Sequence, residues 1–296
     1  MDRIDRMALF TRIVESGSFA RAASDLGVAR STATEAVKVL ERETGTRLLA
    51  RTTRQVRPTA EGDIFYHHAR AILTAVDDAY GASRQGAPSG HLRIGASGLL
   101  TRTFLVPRLP DFLTRYPDIT VEFGQTDRFV DLVRDGVDCV IRAGEPDDSG
   151  LMMRRLGALP EITCASPAYL AAHGTPTDID DLDGHHMVGF LSSRTGKVLP
   201  LEFQRDGSVE TRVVPARVTT DNSDTASALA LSDFGLIQAP RYRFEAQLAD
   251  GRMIEVLAET PPEPIPLNVL YAGSRHMSRR LDVLLDWIAE IFADAL

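Results

Sequence analysis

Apolar positions in this chain repeat first every three or four residues and later every second residue, and the change of period divides it. Over residues 4–15, Met7, Phe10 and Val14 share one side of a helix, with Leu9 and Ile13 beside them. Phe19, Ala22, Ala23 and Leu26 follow at i, i+3, i+4, i+7, and Ala33, Val37 and Leu40 at i, i+4, i+7. Ser18 is a suitable N-cap for the first of these two short helices, and Gly27 can take the left-handed backbone that ends it. The small Ala22 and Ala23 let two helices cross closely. Opposite the second apolar stripe stand Arg30, Ser31, Thr34, Glu35 and Lys38. A short helix, a glycine turn and a second helix with a polar outer face is the plan of a helix-turn-helix. Next, Arg47, Arg51, Arg54 and Arg57 recur every three or four residues with Thr52 and Thr53 among them, and Pro58 closes the run. That composition predicts a β wing from about Leu48 to Pro58, whose Arg and Thr side chains hold phosphate and fix the register of a docked helix. Thr59 then caps a long helix, with Glu61 in its first turn and Phe65, Ala69, Ile72, Val76 and Ala79 as an apolar stripe. That stripe covers no core of its own, and a second copy of the chain is the economical way to bury it.

The Gly-, Ser- and Pro-rich stretch from Gly81 to Gly90 reads as a linker. Beyond it Leu92, Ile94 and Ala96 alternate as a strand. Leu105, Leu109, Phe112 and Tyr116 return to helical spacing, and Ile119, Val121 and Phe123 alternate again. Phe129, Leu132 and Val133 predict a further helix, and Cys139-Val140-Ile141 a buried strand. This β-α-β-α-β order predicts a parallel sheet with crossover helices. A second unit begins near Leu159, with strands at Ile162–Ser166, Met187–Leu191, Val209–Val214 and Arg217–Thr220, a turn at Arg205-Asp206-Gly207 and a helix at Asp224–Leu231. Leu267, Val269 and Tyr271 form a late strand, and Leu281, Leu284, Leu285, Ile288 and Phe292 a last helix.

The charge is unevenly distributed. Residues 1–58 hold eleven basic and seven acidic side chains, a net of +4, so −12 falls on the rest of a chain whose total is −8. A basic head on an acidic body is the footprint of a localised nucleic-acid contact, and the body's own charge repels DNA elsewhere. At 296 residues the chain is long enough for two or three domains. It has no apolar run near the length of a membrane span, and its charged, amphipathic start is unlike a signal peptide, which predicts a cytoplasmic protein. The two cysteines, Cys139 and Cys164, sit in apolar strands and read as reduced and structural.

In open sheets of this kind ligands bind beyond the carboxyl ends of the strands. Those positions hold Ser97, Leu99 and Thr101 after the first strand, Thr126 after the second and Arg142 after the third, with Thr195 and Asn222 from the second unit. Hydroxyls, helix N–H groups and arginine suit a small carboxylate. Each residue is equally at home as a turn or cap residue, and Arg142 could instead pair with an aspartate. Whether Ser97 or Thr101 faces the cleft is open at this stage. No Ser or Cys lies in a nucleophile elbow or triad pattern, so no catalytic residue is assigned. His67 and His68 are adjacent and cannot share a helix face, and His185-His186 has no cysteine or carboxylate at ligand spacing, so no metal or other cofactor is expected.

The block from Ala22 to Gly62, followed in order by GHLRIGAS, VPRLPDFLTRYPDI, DRFVDLVRDGVDCVIRAGE, RRLG and CASPAYLAAHGTP, resembles the LysR-type transcriptional regulators over the whole chain. The resemblance implies a multidomain fold: an N-terminal all-α winged helix-turn-helix and linker helix, then a two-lobed α/β effector domain like type 2 periplasmic binding proteins. The corresponding spans are 1–58 for DNA binding, 59–89 for dimerisation and hinge, and 90–296 for the effector. Within the last, lobe 1 covers about 90–158 and 266–296, and lobe 2 about 159–265. DNA contacts then fall to Arg30, Ser31, Thr32, Thr34, Glu35 and Lys38 on the recognition helix and to Arg51, Thr52 and Arg54 on the wing. The implied partners are double-stranded operator DNA, a small-molecule effector and further copies, as a dimer or dimer of dimers in the bacterial cytosol, nucleoid-associated when bound. The sequence departs from the family where Glu35 replaces a common Arg or Lys and Ala29 a common Ser cap. A free-standing solute-binding protein would not need the basic head, and a DNA-architectural protein would not need the acidic body.

Overall fold

Helix α1 (Arg3–Ser16) starts on a capping box, in which the Asp2 carboxylate accepts from the Asp5 amide at 2.8 Å and Asp5 accepts from the Asp2 amide at 3.1 Å. Such a cap is worth about 1 kcal/mol. The computed structural model describes residues 1–51, 56–82, 87–125, 127, 132, 136–145, 150–273 and 277–295, with the side chains of Arg51 and of 77–82 outside the description. It falls into two compact units, Met1–Gly90 with Asp131–Asp138, and His91–Val130 with Cys139–Leu296.

In the first unit α2 (Phe19–Asp25) is capped by Ser18, and Gly27 turns the chain at a φ of 64°. Then come α3 (Arg30–Thr44), which has no side-chain cap at Ala29, and the antiparallel strands β1 (Leu49–Arg51) and β2 (Val56–Pro58). Leu9, Phe10, Ile13, Ala22, Ala23, Ala33, Val37, Leu40 and Leu48 form one buried cluster, so the stripes of the three helices meet in a single core, except that Leu26, expected to end the α2 stripe, is 44% exposed. Helix α4 (Ala60–Ala82) begins at Thr59, whose Oγ1 accepts from the Gly62 amide at 3.0 Å. Of its stripe, Ala69 is buried, whereas Ile72 is 41% exposed.

The second unit holds β3 (Gly90–Ala96), the one-turn α5 (Gly98–Leu100), α6 (Leu109–Arg115), β4 (Ile119–Gln125), β5 (Cys139–Ala143) and β6 (Met152–Leu159). These are followed by β7 (Glu161–Ala165), α7 (Pro167–His173), β8 (Met187–Phe190), β9 (Leu201–Arg205), β10 (Ser208–Arg212), β11 (Ala216–Thr220) and α8 (Ser223–Leu231). The unit ends with β12 (Ile237–Pro240), α9 (Glu245–Ala249), β13 (Ile254–Val256), β14 (Ile265–Tyr271) and α10 (Arg279–Ala295). A five-stranded sheet of order β4-β3-β5-β14-β6 forms lobe 1. The parallel pairing expected of the early strands holds for β3 and β5, whereas β14, which that expectation did not include, is antiparallel to both β5 and β6. The late strand is inserted into the sheet from the far end of the chain, and no βαβ crossover constrains its direction. The helix expected at Phe129, Leu132 and Val133 falls largely outside the described residues, of which only Leu132 is placed, buried in a turn. Lobe 1 packs α6 and α10 on its sheet, burying Ile94, Phe112, Ile141, Val269, Ile288 and Phe292.

Lobe 2 is built on smaller sheets, β12-β7-β13 and β11-β8, with the β9-β10 hairpin beside them. Asp206 and Gly207 both take positive φ, 52° and 76°, which is the two-residue turn that joins tightly paired strands. The strand expected to reach Val214 stops at Arg212, and Val213 is 89% exposed.

Candidate nucleic-acid interface and effector cleft

The head builds its exposed surface from α3. Ala33, Ala36, Val37 and Leu40 are buried, which turns Arg30, Ser31, Thr32, Glu35 and Lys38 outward. Thr34 is half-buried, and its hydroxyl donates to the Arg30 carbonyl at 3.1 Å, so it is committed to its own helix. The Glu35 carboxylate lies 3.6 Å from both Lys38 Nζ and Arg42 Nη2. All three side chains are exposed, so these pairs are weak and can be exchanged for contacts to a ligand.

Two residues that pattern reading overlooked fix the wing on this helix. Glu41, on the inner side of α3, accepts from the amides of Leu48 and Leu49 at 3.0 and 3.2 Å. Gly62 approaches so closely that a Cβ there would stand 1.9 Å from the Leu48 carbonyl oxygen. The wing begins from this doubly held peptide, and its strands pair Leu49 with Pro58 and Arg51 with Val56. Thr52, Thr53 and Arg54 and the Arg51 side chain lie outside the described residues.

Within the second unit, part of the expected effector set converges. Asn222 caps α8 through Oδ1, which accepts from the Thr225 amide at 2.9 Å, and its Nδ2 donates to Asp127 at 3.1 Å. Arg142 is half-buried and its Nη1 donates to the Asp127 carbonyl at 3.2 Å. Burial lowers its pKa from the ordinary arginine value, partly offset by the Asp127 charge. Ser97 precedes α5 and faces the Tyr242 hydroxyl, whose pKa burial raises. Leu99 is half-buried beside it. Thr101 is corrected: it is 1% exposed, and its hydroxyl donates to the Ser97 carbonyl at 3.0 Å, which leaves it no free group for a ligand. Thr195 is exposed, and the polar bonds described for it lie in its own turn, its amide donating to Ser192 and its hydroxyl accepting from the Lys197 amide, both at 3.3 Å. Thr126 lies outside the described residues.

Further side chains enter the cluster unforeseen. Arg243, 6% exposed, donates to Asp224 at 2.8 Å and to Ser227 at 3.1 Å. Arg102 reaches the other oxygen of Asp224 at 3.1 Å. Burial by itself would raise the Asp224 carboxyl, and the bonds from Arg243 and Arg102 outweigh it, holding it below its ordinary value. Arg243 follows the carboxyl end of β12, so the strand-end rule applied to Arg142 would have found it too. Among the described residues no group of three or more His, Cys, Asp or Glu is arranged to hold a metal ion, and no helix is long and apolar enough to cross a membrane.

A helix-turn-helix head with a hairpin wing, and a two-lobed α/β body with a polar cluster between its lobes, define a ligand-responsive DNA-binding regulator. The chain belongs to the LysR family: residues 4–63 match the bacterial regulatory helix-turn-helix protein, lysR family, and residues 85–293 match the LysR substrate binding domain. It is 35% identical over 298 residues to the HTH-type transcriptional regulator YhjC of Escherichia coli K12, covering 100% of both chains. It is 34% identical over 292 residues to the transcriptional regulator CrgA of Neisseria meningitidis serogroup C, covering 97% of this chain and 96% of that one. The solved structure of CrgA, a LysR-type transcriptional regulator, superposes with a TM-score of 0.61 at 32% identity over 97% of this chain and 98% of that chain. The full-length structure of the Vibrio cholerae virulence activator AphB, at 24% identity, shares the fold with a TM-score of 0.60 over 98% and 99% of the two chains. The protein is therefore a LysR-type transcriptional regulator, with a DNA-binding helix-turn-helix and an effector-binding domain, in a family that forms oligomers.

Proposed function

We propose that residues 1–58 read operator DNA, that 59–89 pair two copies, and that 90–296 sense a small carboxylate between the lobes. The observation that carries this reading is the outward face of α3, where the polar residues stand exposed on a helix whose other side is locked into the core. Arg30, Ser31, Thr32 and Glu35 enter the major groove, and Glu35 accepts from a cytosine amino group once released from Lys38 and Arg42. Thr34, with its hydroxyl turned back on the helix, offers a methyl group rather than a donor. Lys38, with Arg51, Thr52 and Arg54 of the wing, holds phosphate and positions the helix.

In the body, Ser97, Arg142 and Asn222 hold the effector, with Arg243 and Tyr242 joining them. Hydroxyl, amide and guanidinium donors outnumber acceptors there, which favours an anion. An effector gripped by both lobes has different affinity for their open and closed arrangements, the condition for shifting a regulator between states. The chain works by binding rather than catalysis, in the cytosol, as dimers that associate in pairs on the DNA. Replacing Arg30 by Ala in a binding-site library tests the reading of bases. We expect a changed preference at one or two positions, at about 1–3 kcal/mol. An unaltered preference removes Arg30 from the reading face.

A further inference from the structure

The cluster between the lobes is already occupied by the chain itself. Asp127 comes from lobe 1, after β4. One of its carboxylate oxygens accepts from the Ser223 amide at 2.8 Å, the Ser223 hydroxyl at 2.9 Å and Asn222 Nδ2 at 3.1 Å. These donors belong to the N-cap and the first residue of α8 in lobe 2, where unsatisfied N–H groups and the helix dipole attract negative charge. Three other contacts close the same seam. Asp224 of lobe 2 is shared between Arg102 of lobe 1 and Arg243 of lobe 2. Tyr242 of lobe 2 packs on Phe104 of lobe 1, with ring centroids 5.1 Å apart, and joins the lobe 1 core. Gly98 of lobe 1 lies under Asp224, so that a Cβ there would be 2.9 Å from its carboxylate.

We propose that Asp127 is a built-in carboxylate that clasps the two lobes together without a ligand. It stands where a carboxylate effector would bind, so the effector enters by displacing it. The displacement rests on the effector reading given above, whereas the clasp does not. Response is then an exchange of one carboxylate for another on the α8 N-terminus. What differs between the two states is whether lobe 1 is tied to α8 through its own chain or through a diffusible molecule. The five charged groups of the seam, Asp127, Asp224, Arg102, Arg142 and Arg243, sum to one positive charge, so releasing Asp127 towards solvent leaves two, and one incoming carboxylate restores the original balance.

Amide hydrogen exchange of the full-length chain tests this with no effector present. In Asp127→Ala we expect amides over 222–226 to exchange about tenfold faster, while the β9-β10 hairpin of the same lobe is unchanged. Formate should restore slow exchange in that variant, where chloride at equal ionic strength should not, because formate refills the place of the missing carboxylate. Asp127→Asn, which keeps the size of the side chain and sheds its charge, should be intermediate and guards against a folding defect in the alanine variant. Unchanged exchange over 222–226 in both variants overturns the clasp. Acceleration that formate does not reverse overturns the role of the carboxylate. Either result can be told apart from a wrong effector site, since neither measurement uses an effector.

Discussion

Gly62→Ala puts the architecture of the head to a quantitative test. An alanine inside a helix is ordinarily about 1 kcal/mol better than glycine. Gly62 is the third residue of α4 and its φ is not left-handed, so helix propensity alone predicts stabilisation. Packing predicts the reverse. The added Cβ would lie 1.9 Å from the Leu48 oxygen and 2.8 Å from the Leu48 carbonyl carbon, both backbone atoms. Restoring ordinary contact requires a shift of more than about 1 Å. The Leu48 peptide is not free to make it: its amide donates to Glu41 at 3.0 Å, and its carbonyl accepts from the Thr59 amide at 3.0 Å. Overpacking of this kind costs about 1–3 kcal/mol, and loss of the Thr59 bond about 1 kcal/mol more. We therefore expect a net loss of about 1–3 kcal/mol, confined to the head. The single tryptophan, Trp287, is in α10 of the body, so its fluorescence follows the body, while far-UV circular dichroism also follows the helices of the head. In a urea titration the dichroic transition should broaden towards lower urea, the tryptophan transition should stay in place, and DNA affinity should fall as the wing shifts. A dichroic midpoint equal to or above the wild type would show that helix propensity prevails and that the Leu48 carbonyl does not press on α4.

Two other perturbations follow from particular side chains. Ile72 is 41% exposed on α4, and Ile72→Asp would put a charge into the proposed seam between copies; light scattering should show smaller species with weak DNA binding, and a wild-type mass would refute the pairing helix. The Glu161 carboxyl is pushed up from its ordinary value to about 7, by burial first and by Glu202 second. The folded state thus holds this proton more tightly than the unfolded chain does. The resulting stability is complete below the ordinary carboxylate range and is lost as the pH rises through about 7. Between about pH 5 and 8 the urea midpoint of the wild type should fall more than that of Glu161→Gln, and superimposable profiles would rule out a protonated Glu161.

The helices of the head were legible because each buries one stripe at 3.6-residue spacing, and Ser18, Gly27 and Thr59 mark their ends with local chemistry. The body was legible where strands are buried, as at Ile94, Ile141 and Val269. It was illegible at β6, where Met152, Met153, Arg154 and Arg155 are exposed on the sheet's edge and give no alternation. Part of the candidate effector set converges in the structure. Ser97, Arg142 and Asn222 follow from the rule that places ligands at strand ends. Thr101 failed because a hydroxyl one helical turn beyond Ser97 serves the Ser97 carbonyl instead, and the residue type alone does not distinguish the two uses. The roles of Asp127 and Arg102 depend on partners 95 and 122 positions away, a separation at which no local pattern survives. Gly62 and Glu41 were invisible for a related reason, since their value lies in one carbonyl and two amides of a different segment.

The insertion of β14 between β5 and β6 sets a timetable for synthesis. Asn268 of β14 donates to the carbonyl of Gly144, 124 residues earlier. A ribosome adding about 5–20 residues per second needs roughly 6–25 s to cover that distance. During this interval β5 has only β3 beside it, and β6, whose neighbour in the sheet is β14, has no strand to join. The head, whose core draws on residues no later than Tyr66, has everything it needs well before then. A nascent chain therefore carries a finished DNA-binding surface before it has a sensing lobe. The unpaired edges of β5 and β6 make that waiting period the point at which chaperones matter and at which translational pausing would shift the yield between native protein and aggregate.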